Sequence, residues 1–204
     1  MATTITIDPA TRLEGHLKVN VQSDAGQVVW PPIDARLPIE DYQRLIDGYL
    51  AEAQRFEPEP SILIVPHAGY VYSGGVAAHG FKQALDRTYR RIIILGFNHH
   101  YAHSFTGAAV WPAGVWRTPL GDVPIDAVLA QQILESGPKI FTTDRSIHLD
   151  EHSLEVEVPF IQRVLPGIPI VPISIGRPTL ENAQAIADAL AQVLPAAPKT
   201  LVVT

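Results

Sequence analysis

The sequence predicts an α/β fold: a mostly parallel sheet with helices on both faces, preceded by an N-terminal β-hairpin. Three observations predict it. Short apolar runs such as RRIIILG (90–96) and IPIVPISIG (168–176) have strand length and no polar face, as strands covered on both sides require. These runs alternate with segments of helical periodicity, TLENAQAIADALAQVL (179–194) being the clearest. The first 29 residues instead alternate apolar and polar positions around a turn.

Taken in order, Ile5 to Val29 reads as the hairpin. Leu17, Val19 and Val21 share one face, and SDAG (23–26) turns the chain into QVV. Such a hairpin is marginal alone, because it has nothing against which to bury its apolar face. WPPIDARLP (30–38) follows, stiffened by three prolines. The composition changes there, so residues 1–29 form one segment and residues 30–204 the α/β domain. Ile39 to Phe56 is an amphipathic helix, with Ile39, Tyr42, Leu45, Ile46, Tyr49, Leu50 and Ala53 on one face, and EPEP (57–60) ends it. Strands are predicted at SILIV (61–65), RRIIILG, FTGAAVW (105–111), IPIVPISIG and KTLVVT (199–204). Helices are predicted over Val76–Leu85, IDAVLAQQIL (125–134), the stretch from Ser153 to a break near Pro159, and 179–194.

The totals narrow the function classes. Lys and Arg number 15 against 21 Asp and Glu, a formal charge of -6 with no basic cluster, which excludes nucleic acid and anionic membrane surfaces as partners. With no cysteine, disulfides, thiolate metal sites and thiol nucleophiles are excluded. No basic-then-apolar leader opens the chain and no apolar run approaches spanning length, so the expected location is the cytoplasm. There is neither a GK[ST] phosphate loop nor a G-x-S-x-G nucleophile elbow.

Two predicted strands end in histidine: SILIV runs into Pro66-His67, and RIIILGFN into His99-His100. If those strands are parallel neighbours, both imidazoles reach the same sheet edge, and convergent imidazoles are the start of a transition-metal site. A lone histidine capping its own strand is the plainer reading; two such ends beside glycines favour a shared site. In DEHSLEVEVPF (150–160), Ser153 is expected to cap a helix with Val156 and Phe160 facing the core. Asp150 and Glu151 read equally as a solvated acidic helix start, whereas His152 would enter the same cleft as an acid–base group. Tyr70 and Tyr72 in GYVYSGG, with His100, are expected to contact a ligand, and Gly74–Gly75 to open the following helix.

From about Pro38 onward the chain resembles the Memo family, known in bacteria as protein B of the AmmeMemoRadiSam group. The collinear pieces are PHAGYVYSGGVAAHGFKQ, RRIIILGFNHH, WRTPLGDVPID, DEHSLEVEVPF and IPIVPISIG. The family is similar in fold to class III extradiol dioxygenases, so the resemblance implies a non-haem metal site with His67 and His99 as ligands and His152 as a further polar group. Iron is the metal it implies first, and two imidazoles also suit copper or zinc. It further implies that the domain is incomplete at its C-terminus, the site partial and any dioxygenase-like activity impaired. A non-catalytic module for a peptide or small ligand is the alternative, relying on Tyr70 or Tyr72 rather than on ligating nitrogens. Residues 4–29 resemble the start of a nickel–iron hydrogenase large subunit through Arg12–His16, where Glu14 matches a proton-path residue. That family holds its metals with cysteine pairs, which this chain lacks, so a hydrogenase fragment is the third reading and Glu14 and His16 read as ordinary hairpin residues.

Overall fold

The computed structural model describes residues 28–29, 39–56, 59–149 and 151–204. The hairpin expected over Ile5–Val29, including Glu14 and His16, lies outside the described residues except for Val28–Val29; so does Asp150.

The apolar runs form a six-stranded, mostly parallel sheet in the order β2-β9-β3-β8-β4-β7. Its strands are β2 (Ile62–Leu63), β3 (Arg91–Phe97), β4 (Ala108–Val110), β7 (Phe141–Thr142), β8 (Ile170–Ile175) and β9 (Thr200–Val203). All neighbours run parallel except β4 and β8. A second, three-stranded sheet contains β1 (Val28–Val29), which runs parallel to β5 (Val115–Thr118), and β6 (Gly121–Pro124), which returns antiparallel to β5. The β5–β6 pair lies in WRTPLGDVPID, whose short mixed-polarity strands carry no run long enough to read as sheet.

Period-2 alternation distributes β3 between two cores. Ile92 and Ile94 join α1 (Ile39–Glu52), α2 (Gly75–Lys82) and α4 (Val158–Val164) through Ile46, Phe81 and Phe160. Ile93 joins the opposite face, where α3 (Ala127–Ser136) and α5 (Leu180–Val193) contribute Leu129, Ile133, Ile186 and Leu190. The three isoleucines are at most 1% exposed, and burying each stabilises the fold by roughly 1.5–3 kcal/mol. Asp126 caps α3 by accepting from the Leu129 N–H, and Thr179 caps α5 by accepting from the Asn182 N–H.

Three elements differ from expectation. α1 stops at Glu52 instead of Phe56, because α2 offers the next N–H groups other acceptors: Gln54 N–H donates to His79 Nδ1 and Phe56 N–H to Gln83 Oε1. The helix after PHAG starts as a π turn over Tyr70–Gly74 before α2. Gly74 allows that turn to pack on α1, since a Cβ there would sit 2.8 Å from the Tyr49 ring. Pro159 does not break the helix after DEHS. It lies in the first turn of α4, where its missing N–H has no intrahelical acceptor to lose. Ser153 does not cap that helix either: a 3-10 turn, Glu155–Glu157, intervenes, and Ser153 is buried. Val156 and Phe160 do face the core. No helix among the described residues is long and apolar enough to cross a membrane.

Candidate metal centre

β2 and β3 are not neighbours, as the sequence reading supposed: β9 lies between them, pairing with both. The parallel direction still carries both chain exits to one sheet edge. Beyond the strands, His67 and His99 meet with ring centroids 5.3 Å apart and the rings nearly perpendicular. His152 stacks on His99, centroids 4.7 Å apart and 25° between planes.

Glu151 organises this imidazole cluster. It is 1% exposed, although its sequence context is equally that of a solvated helix start. Its Oε1 accepts from His99 Nδ1 (2.9 Å), from the His152 N–H (2.8 Å) and from the Ser153 N–H (2.7 Å), while Oε2 accepts from the backbone N–H of His99. Burial alone would raise its pKa. The donors from the Ser153 backbone and from the backbone N–H and ring Nδ1 of His99 outweigh that cost and hold the carboxyl below its ordinary range, so it is an anion at neutral pH. The Nδ1–H···Oε1 bond assigns the His99 tautomer and leaves Nε2 as the free lone pair, the arrangement found where a carboxylate orients a metal-binding imidazole. Among the described residues, His99, Glu151 and His152 each offer one potential ligand atom, all within 4.8 Å of one another.

A family model for Memo-like proteins matches residues 39–204. The chain belongs to the Memo-like family. It is similar to MEMO1 family proteins of Saccharolobus islandicus (43% identical over 133 residues), Saccharolobus solfataricus (45% over 134) and Caldivirga maquilingensis (41% over 133). Those matches span 64%, 64% and 65% of this chain and 46% of each relative, so the Memo-like chain covers about half the length of the curated relatives it matches. A second family model, HoxL-like, matches residues 4–39, which include the 4–29 segment that carries the hydrogenase resemblance.

In the Memo-like site His67 and His152 are biased toward the neutral form that can ligate a metal. Burial and then the adjacent His99 push the pKa of His67 down, against the opposing charge of Glu151. Burial also lowers that of His152; Glu151 opposes, and His99, His67 and His100 add to the lowering. The rings of His99 and His152 remain over a third accessible, at 37% and 39% of the side chain, so the cluster is open to solvent on one side.

The other ligand-contact candidates are placed differently. His100 is exposed beside Tyr101, with ring centroids 6.4 Å apart. Tyr70 turns its hydroxyl inward, accepting from the Tyr42 hydroxyl and donating to the Val156 carbonyl. Tyr72 is 85% exposed and lines a groove between α1 and α2 with Tyr49, Glu52 and His79. Both tyrosines line the groove, but the π turn sends the Tyr70 hydroxyl into the core and the Tyr72 ring toward solvent.

Gly96 brings the third segment against the first two. It lies in β3 opposite Ser174, and a Cβ there would sit 2.4 Å from Ser153 Oγ and 2.7 Å from Leu154 Cδ2. Its bare backbone therefore lets the chain after Glu151 and His152 press onto the strand that leads to His99. Gly96→Ala is expected to destabilise the protein by about 2 kcal/mol through overpacking and to weaken metal binding. Paired urea denaturation and cobalt(II) titration check this, and wild-type values in both would refute it.

Sequence reasoning missed the burial of Glu151 and two residues behind it. Asn98, immediately before the histidine pair, is 0% exposed. His148 is also 0% exposed, set edge-on to Trp111 and Trp116 with centroids 5.4 and 6.2 Å away. The available signal was weak: an asparagine at a strand end, and a histidine three residues before Glu151.

Proposed function

We propose that this Memo-like chain binds a divalent transition-metal ion at the sheet edge through the imidazoles of His67, His99 and His152, with Glu151 as the carboxylate that orients His99. The observation that carries the reading is the Glu151–His99 hydrogen bond within a cluster of three imidazoles. It commits Nδ1 to the protein and turns the remaining lone pair outward. The donor set fits the ion: imidazole nitrogen with a nearby carboxylate suits iron, and also copper or zinc, better than magnesium or calcium. A bound iron(II) with open coordination positions would supply dioxygenase-like redox chemistry. The residues around it hold His99 in one tautomer and keep His67 and His152 neutral, so that their ring nitrogens have lone pairs to offer the ion.

Metal content after anaerobic reconstitution with iron(II), and cobalt(II) titration, test this directly. The His67→Ala/His99→Ala double variant is expected to lose more affinity than the ~10–100-fold typical of an outer-partner change. Unchanged metal content in that variant overturns the assignment.

The exposed Tyr72 and its groove favour a second reading, a peptide- or small-ligand-binding module. Under that reading a ligand's affinity falls in Tyr72→Ala and survives in the double histidine variant.

A further inference from the structure

We propose that Asn98 is a positioning residue of this centre: its side-chain amide braces the segment bearing His99 against the segment bearing Glu151 and His152. The inference rests on the metal-binding reading and adds to it a residue that touches no metal ligand through its side chain.

The amide of Asn98 is fully used. Its Oδ1 accepts from the backbone N–H groups of His100 and Tyr101, which bends the chain sharply where β3 ends. Its Nδ2 donates to the Ile147 carbonyl at 2.7 Å and to Ser174 Oγ at 3.0 Å. Its backbone N–H donates to Ile175 at 2.9 Å, which keeps it in register with β8. An asparagine amide has two acceptor sites on oxygen and two donors on nitrogen, so no valence is left over.

Those bonds close a ring of contacts. Ile147 belongs to the 3-10 turn Arg145–His148. The Glu151 N–H donates to the His148 carbonyl at 3.4 Å, and the Glu151 carboxylate accepts from both His99 N–H and His99 Nδ1. His99 is the next residue after Asn98. The ring therefore runs from Asn98 to Ile147, to His148, to Glu151, to His99 and back, joining two segments that are otherwise about fifty positions apart. Packing of His148 against both tryptophans, which also touch each other, keeps the far side of the ring from shifting. The Asn98 amide is itself buried and fully satisfied, and such a group specifies one geometry, because any alternative leaves its buried donors or acceptor unpaired.

Asn98→Asp keeps the oxygen that makes the turn and removes both donors to Ile147 and Ser174. Asn98→Ser keeps a turn-forming oxygen on a shorter side chain that does not span to Ile147. Ser174→Ala is the control: it removes a buried hydrogen bond from the same network and leaves the Ile147 brace in place. Cobalt(II) is titrated into each variant of the 204-residue chain, following affinity and the visible absorption bands, with thermal stability measured metal-free. The imidazole N–H proton of His99, held in the bond to Glu151, is followed by NMR in the metal-free protein.

Both Asn98 variants are expected to bind cobalt(II) about 10–100-fold more weakly, with altered bands and a weakened or lost imidazole proton signal. Ser174→Ala is expected to keep wild-type bands and the proton signal at reduced stability. Wild-type affinity and bands in Asn98→Asp and Asn98→Ser overturn the proposal, as does an imidazole proton indifferent to both. If the wild-type chain binds no cobalt while the proton still depends on Asn98, the metal reading fails and the positioning role stands.

Discussion

Glu151→Gln is expected to be the most damaging single exchange in this chain, lowering stability by about 2–3 kcal/mol and removing measurable metal binding. Glutamine has nearly the shape of glutamate and the wrong hydrogen-bonding character. Wild-type Glu151 accepts four N–H donors with its two oxygens. A glutamine must place an NH2 group toward one set of them, so either the His99 backbone or the Ser153 side of the nest faces a donor with a donor. The lost anion also releases the His99 tautomer. The pH dependence follows from the depressed carboxyl. Its stabilisation is fully present above the ordinary glutamate range and is lost as pH falls through the lower folded value. Chemical denaturation at neutral pH, with metal titration, checks the pair of effects. A Gln variant within 1 kcal/mol of wild type, still binding metal, would falsify the role of the carboxylate.

The second large effect belongs to His148. It is 0% exposed, and burial, only partly offset by the Ala109 backbone and the charges of Asp144 and Glu151, pushes its pKa down from 6.5 to about 4. The folded state thus binds fewer protons than the unfolded chain between those values. The His148 contribution to stability is greatest above pH 6.5 and falls as pH drops, by about 2 kcal/mol at pH 5 and about 3 kcal/mol near pH 4. His148→Phe keeps an aromatic ring against both tryptophans and cannot titrate. Its stability difference from wild type, taken by urea denaturation at pH 7 and pH 5, is expected to move by that amount in favour of the variant. Comparing the two proteins cancels the buried Glu155 and Glu157, which burial holds protonated well above their ordinary range and which act in the opposite sense as pH falls. Parallel pH profiles for the two proteins would show that His148 does not carry the acid sensitivity.

His148 and Glu151 also show why this site was only half legible. His67 and His99 each follow an apolar run, and a strand's end can be read from the run itself. Glu151 stands among Asp, His and Ser, and nothing local says whether the turn faces water or folds back onto β3. That depends on Gly96, 55 positions earlier, which admits Ser153 and Leu154 against the strand. The same limit hid the β5–β6 pair and the direction of Tyr70, whose hydroxyl partners come from α1 and from the chain before α4.

The amino-acid order by itself determined the α/β class, the two-sided core and the two histidines at strand ends, because apolar period and strand termination are local properties of a chain. Only the tertiary structure decided that β9 separates the two strands, that His152 stacks on His99 and that Glu151 is a buried acceptor of four N–H groups. Strand order and the burial of a charge are set by which distant segments come into contact, and the energy of a carboxylate depends on the donors that surround it rather than on its neighbours in sequence.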